Sequence, residues 1–182
     1  MKSGLLASSF CIFLAAASLS GCSQTEKSPD VASQVRSALG QAGLSHVNVS
    51  QDRDKGVVTL SGTTQSEEQR DQAESIAKGL AANQVVSNQI AVRPPGNESA
   101  AKEENSDLDK AIEKNFDAAL VKHRLNKDVK GDAKNGVLTL TGDVHSEAER
   151  QRAEKLAHQV PNVREVVNEL EVKKTNQKAT AS

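Results

Sequence analysis

The chain is 182 residues long, with 23 basic and 24 acidic side chains and 2% aromatic residues. A net charge of −1 leaves no bulk electrostatic pull on nucleic acid. The scarcity of aromatic faces removes the stacking platforms that single-stranded nucleic acid needs. Both cysteines, Cys11 and Cys22, lie near the N-terminus, so the body of the chain has no disulfide and no thiolate metal site.

Residues 1–21 combine Lys2 with the apolar run LLASSFCIFLAAASL. A charged segment followed by an apolar stretch too short for a comfortable span reads as a signal peptide. It closes on Leu19-Ser20-Gly21-Cys22, which resembles the bacterial lipobox. That resemblance implies acylation of Cys22 and removal of the preceding residues. Each buried acyl methylene contributes roughly 0.8 kcal/mol, so several chains hold a protein on a membrane stably. Ser23, where an aspartate would resemble an inner-membrane retention signal, points to the outer membrane with the body facing the periplasm. Residues 22–30 are polar and include Pro29, and read as an acylated tether.

Residues 31–93 read as one folding unit. Val31, Val35, Ala38 and Leu39 recur at helical spacing, with Asp30 expected at the N-cap and Gly40 and Gly43 at the end. Val47 and Val49 alternate as a strand. Lys55-Gly56 is expected to form a tight hairpin turn, and Val57 to Leu60 a second strand that Gly62 breaks. Ser66 with Gln69 has capping-box spacing. Arg70, Ala73, Ile76, Ala77 and Leu80 mark the face of the helix that follows, and Val86, Ile90 and Val92 alternate as a third strand. The order is helix, strand, strand, helix, strand. The first two strands should pair antiparallel, and a right-handed crossover should return the third parallel to them.

Residues 94–106, PPGNESAAKEENS, read as a linker. Residues 107–174 repeat the pattern. Ser106 or Asp107 is expected to cap a helix with Leu108, Ile112, Phe116, Ala119 and Leu120 on its apolar face. Asn135-Gly136 suits a two-residue turn, since both positions tolerate positive φ. Ser146 with Glu149 restores the capping box, and Arg150, Ala153, Leu156, Ala157 and Val160 restore the helix face. Phe116, Pro161 and Val163 make this second unit the better packed, with the higher expected melting temperature. Residues 175–182 are polar and aperiodic and are expected to be a disordered tail.

The two units match without a gap. Residues 56–92 and 136–172 are identical at 14 of 37 positions, which marks an internal repeat. The shared positions are turn glycines, apolar residues, the caps and one asparagine in each last strand, Asn88 and Asn168. The patterns GVVTLSG…S-E…R…A…A…V-x-N-x-I-x-V and GVLTLTG…S-E…R…A…A…V-V-N-E-L-x-V resemble the BON domain, named for bacterial osmotic-shock and nodulation proteins. The resemblance implies an α+β fold: two small repeats, each a three-stranded mixed sheet packed on two helices. It also implies a non-enzymatic protein that attaches to phospholipid surfaces and supports envelope integrity under stress. Asn83 departs from the family's Gly-Val entry to the last strand.

No residue pattern suggests a catalytic or metal site. His46, His123, His145 and His158 are scattered, and no two have the i,i+4 spacing that would place both on one helix face for a metal. No Gly-rich phosphate loop and no G-x-S-x-G occur, and no cofactor is implied. Asn88 and Asn168 should point inward and tie the third strand to a loop or helix end, since buried amides are hydrogen-bonded; a ligand contact is the other reading. Arg70 and Arg150 are expected to lay packed stems along the apolar face. Lys122, His123, Arg124, Lys127 and Lys130 crowd the end of one helix. Cations there complement the helix dipole. They could also meet anionic lipid at about 1 kcal/mol each, which makes Lys122, Arg124 and Lys127 the candidate lipid contacts beside the lipidation site Cys22. The uncovered sheet faces, with Thr59, Ser61, Gln89 and Ala91 and then Thr139, Thr141, Glu169 and Glu171, could dock the other repeat or a protein partner. A protein-interaction adaptor in an envelope assembly or transport complex is therefore the alternative.

Overall fold

The computed structural model describes residues 27–173. The signal peptide, Cys22 and the C-terminal tail lie outside these residues. In the first repeat, α1 (Ala32–Gln41) precedes strands β1 (Asn48–Asp52) and β2 (Val57–Thr64), then α2 (Glu67–Leu80) and β3 (Val85–Val92). The second repeat follows the same order: α3 (Glu98–His123), β4 (Val129–Lys134), β5 (Val137–Val144), α4 (Glu147–His158), then β6 (Glu165–Asn168) with its short continuation β7 (Glu171–Val172). In each sheet the first two strands pair antiparallel and the last strand lies parallel on the central one. This is the α+β arrangement expected.

Both helices of a repeat cover one face of its sheet. Val35, Leu39, Ala73 and Ala77 meet Val58, Leu60, Val86 and Ile90 in the first core. Ile112, Phe116, Leu120, Ala153 and Ala157 meet Leu138, Leu140 and Leu170 in the second. Period-2 and helical spacing select these residues, and burying them supplies most of the driving force.

The caps form with one change of partner. Ser66 Oγ accepts from Gln69 N at 3.4 Å, and Ser146 Oγ accepts from Glu149 N at 3.2 Å. The returning side chains reach one residue further back than an ordinary capping box. Gln69 Oε1 accepts from Gln65 N at 3.0 Å and Glu149 Oε2 from His145 N at 2.9 Å. Asp30 does not cap α1. The N-cap is Val31, and Gln51 Oε1 from β1 accepts the N–H groups of Val31 and Ala32. A tertiary amide thus supplies the acceptor that helix starts usually take from the adjacent sequence.

Four further expectations change. The turn after β1 is four residues, Arg53 to Gly56, because Asp52 Oδ1 accepts from both Asp54 N and Lys55 N at 3.0 Å. The Asn135-Gly136 turn is the tight one, with φ of 49° and 81°, and Asp109 of α3 accepts both of its N–H groups. Gly62 does not end β2, which continues to Thr64. It sits at φ 117° inside the strand, where a Cβ would stand 2.9 Å from His46 O. Helix α3 starts at Glu98, two turns before Ser106. Only Pro94, Pro95 and Gly96 break helical structure here, and SAAKEE is made largely of strong helix formers. Leu108, expected on the buried face, is 39% exposed. Ala82 and Asn83 together reverse the chain after α2, at φ 49° and 69°, where Asn162 alone does so after α4 at φ 67°.

The repeats meet through their uncovered sheet faces. Val57, Val137 and Val167 form a small apolar cluster. Lys55 Nζ donates to Glu169 Oε2 at 2.6 Å, and Asn135 Nδ2 donates to Gln89 O at 2.9 Å. Lys55 and Asn135 are repeat counterparts, as are Gln89 and Glu169, and Val57 and Val137. Each repeat's hairpin turn therefore grips the other's last strand, the reciprocal pattern of a two-fold interface.

Candidate functional site

The end of α3 collects the cations singled out in the sequence. Lys122, His123, Arg124, Lys127 and Lys130 are all exposed, and none forms an ion pair with another described residue. One carboxylate, Asp128, lies in the same stretch. Val121 sits among them and is 61% exposed, the most exposed large apolar side chain among the described residues. Next to it, between α3 and α4, runs a groove of about 310 Å3, floored by Ala119, Leu156, Val160 and Pro161 and rimmed by Lys122 and His123.

The local backbone explains why the cations project. α3 closes in a Schellman motif: Leu125 N donates to Leu120 O at 3.0 Å and Arg124 N to Val121 O at 3.2 Å. Leu125 folds back beside Leu120 in the core, the contact that accompanies this motif. The motif requires a left-handed residue, and that residue is Arg124 at φ 60°. The first repeat makes the same closure with Gly43 at φ 78°, through Leu44 N to Leu39 O at 2.8 Å. Glycine takes this conformation without strain, whereas a residue with a Cβ loses roughly 1–2 kcal/mol. The second repeat thus holds an arginine where the fold alone favours glycine. Ala82 also takes a left-handed conformation, at φ 49°, so what sets Arg124 apart is its charge among neighbouring cations. Aligning Gly43 with Arg124 was the signal for it in the sequence.

The other singled-out residues serve the fold. Asn88 Nδ2 donates to Glu74 Oε2 at 2.9 Å and to Arg70 O at 3.4 Å, and its Oδ1 accepts from Ile90 N. Asn168 Nδ2 donates to Glu154 Oε2 at 2.9 Å, and its Oδ1 accepts from Leu170 N. Each ties the last strand to a helix, as expected, but to a glutamate in mid-helix rather than to a loop or helix end. Burial pushes the Glu74 carboxyl up, but hydrogen bonds from Asn88 and Lys78 outweigh it and hold the group below the usual carboxylate value. Arg70 is nearly buried and its guanidinium contacts Glu67 and Asp71. Arg150 reaches Glu147 at 3.3 Å. All four histidines are exposed and far apart in the chain.

A second charged cluster, unforeseen from the sequence, lies where the repeats meet. Arg70, Glu74, Lys78 and Asn88 of the first repeat and Arg164 and Glu165 of the second line a cleft of about 440 Å3. Glu165 Oε2 accepts the backbone N–H of Asn88 at 3.0 Å. Arg164 approaches Glu67 at 4.0 Å. Its repeat counterparts, Gln84 and Val85, carry no charge, so the alignment offered no hint of this cluster. Among the described residues no helix is long and apolar enough to cross a membrane.

Comparison with known proteins agrees with the duplicated fold. The profile of the BON domain matches residues 27–94 and 108–174. The chain is 32% identical over 146 residues to the osmotically-inducible protein Y of Escherichia coli (strain K12), covering 79% of this chain and 71% of that protein. Among solved structures, CdsD, a structural protein of the type III secretion system of Chlamydia trachomatis, aligns at 16% identity and a TM-score of 0.34. That alignment covers 80% of this chain and spans 63% of CdsD. Its C-terminal domain aligns at 12% identity and a TM-score of 0.33, covering 79% of this chain and 98% of that one. TM-scores this low do not establish a shared overall arrangement. The family is established by the sequence matches, which cover both repeats: the chain belongs to the BON-domain family and carries two such domains in tandem.

Proposed function

We propose that this chain is a non-catalytic protein of the cell envelope whose second domain binds phospholipid surfaces through the end of α3. Acylation of Cys22 anchors it to the outer membrane, with its body in the periplasm, and it supports envelope integrity under osmotic stress. The observation that carries the reading is Arg124 in a left-handed backbone position, next to an exposed Val121 and unpaired Lys122 and Lys127. An apolar side chain ringed by cations suits the boundary between headgroups and acyl chains. The tetrapeptide ending at Cys22 supports the anchor, and the name of the Escherichia coli relative supports the link to osmotic stress.

The test is co-sedimentation of full-length Cys22→Ser protein with vesicles of anionic or zwitterionic phospholipid. Binding to anionic vesicles is expected, weakening at high salt. Lys122→Glu with Arg124→Glu should abolish it. Arg124→Gly should weaken binding while stabilising the fold by up to about 1 kcal/mol, because the strain is removed. Unchanged binding by the double variant would sink the proposal. The adaptor alternative drew on uncovered sheet faces, and those faces are turned toward each other, so no specific observation favours it.

A further inference from the structure

The contact between the repeats is reciprocal in its turns and valines but not in its charges. Glu165 opens β6 and reaches across to the Asn88 N–H on the outer edge of β3. Its counterpart Val85 makes no matching contact and is 45% exposed. Several groups face the Glu165 carboxyl. Helix α2 presents Arg70, Glu74 and Lys78; β3 presents the Asn88 N–H; β5 presents Val137; Arg164 adjoins it in its own segment. The apolar part of the contact is three valines, so one half-buried charge weighs heavily in the balance.

We propose that the repeat–repeat contact is a proton-operated clasp, in which Glu165 holds the repeats together most tightly when its carboxyl is protonated and loosens them when it is ionised. A protonated carboxyl keeps an acceptor for Asn88 N–H and gains a donor. An ionised one is taken partly out of water beside a second carboxylate, Glu74, which costs free energy that the Asn88 N–H, Lys78 and Arg164 offset only in part. In agreement, burial is the largest influence on the Glu165 carboxyl and, with a smaller push from Glu74, raises it above the usual carboxylate value; the Asn88 N–H, Lys78 and Arg164 pull the other way without reversing it. The sign follows from linkage. A group whose affinity for protons rises on docking favours the docked state fully below the ordinary carboxylate value. That contribution is lost as pH climbs through the raised value. The responsive window therefore lies above the ordinary carboxylate range. The inference does not depend on the lipid-surface reading.

The test is an amide-resolved NMR titration of the full chain from acidic to mildly alkaline pH, with small-angle scattering alongside. Amides on both sides of the contact, Ser87, Asn88, Gln89 and Val167, should move together. Their shared midpoint should lie above those of exposed carboxylates, and the radius of gyration should grow as pH passes it. Glu165→Gln, which keeps the acceptor and removes the charge, should hold these amides at their low-pH positions and keep the particle compact throughout. Glu74→Gln should lower the midpoint. The clasp is overturned if the contact amides titrate with the exposed carboxylates, if Glu165→Gln responds to pH as the parent does, or if Glu165→Gln is the more expanded protein.

Discussion

At the residue scale, the two cores solve one packing problem in two ways. Val35 of α1 and Val49 of β1 are both buried in the first core. Their counterparts are Phe116 of α3 and Gly131 of β4, where a Cβ on Gly131 would stand 2.4 Å from Phe116 Cδ1. The large ring occupies the space that a missing side chain leaves. Gly131→Ala should therefore destabilise the second domain by about 1–3 kcal/mol, the usual cost of overpacking. Transplanting the first repeat's pair, Phe116→Val with Gly131→Val, should cost less than Gly131→Val alone, because the two sites are coupled. Denaturant unfolding followed through the slow-exchanging amides of Leu138 and Leu140 measures both effects; additive losses would refute the coupling. The same compensation weakens the argument for a more stable second domain. Phe116 adds volume that Gly131 removes, so that argument falls back on Pro161 and Val163.

At the element scale, the asparagine in the last strand fastens strand to helix. In each repeat its Nδ2 lies 2.9 Å from a glutamate of the crossover helix, and its Oδ1 accepts the N–H two residues on. Asn88→Leu keeps an apolar shape but leaves Glu74 without its buried donor, at an expected cost of about 1–3 kcal/mol. Melting of the full chain should show that loss in the first domain, while vesicle binding stays at the parent level. A specific loss of binding at unchanged stability would instead make Asn88 a ligand contact. The inward asparagine was legible because strand alternation has a period of two. Its partner was not, since Glu74 reaches it only after α2 has crossed back over the sheet. The start of α3 was misread for the opposite reason. Polar composition suggests a linker, but local helix propensity needs no buried face to act.

At the scale of the whole molecule, three valines and a few polar contacts hold the domains face to face. Val57→Asp would replace an apolar partner of Val137 and Val167 with a charge, and taking that charge out of water against two valines disfavours the contact. The domains should then separate. NMR relaxation should report independent tumbling, and scattering a larger radius of gyration, with both domains still folded. Unaltered tumbling would mean that the polar contacts suffice. The uncovered faces were visible in the sequence as polar and small residues opposite the apolar alternation. That they cover each other was not.

The sequence by itself determined the two repeats, their element order, the cores, the Ser66 and Ser146 caps and the cationic end of α3. All of these follow from local spacing and from a pattern written twice. Only the tertiary structure decided that Gln51 caps α1 from a neighbouring strand, that Glu74 and Glu154 receive the inward asparagines, and that Glu165 lies between the domains. Each of those depends on residues far apart in the chain being brought together, which local spacing does not record.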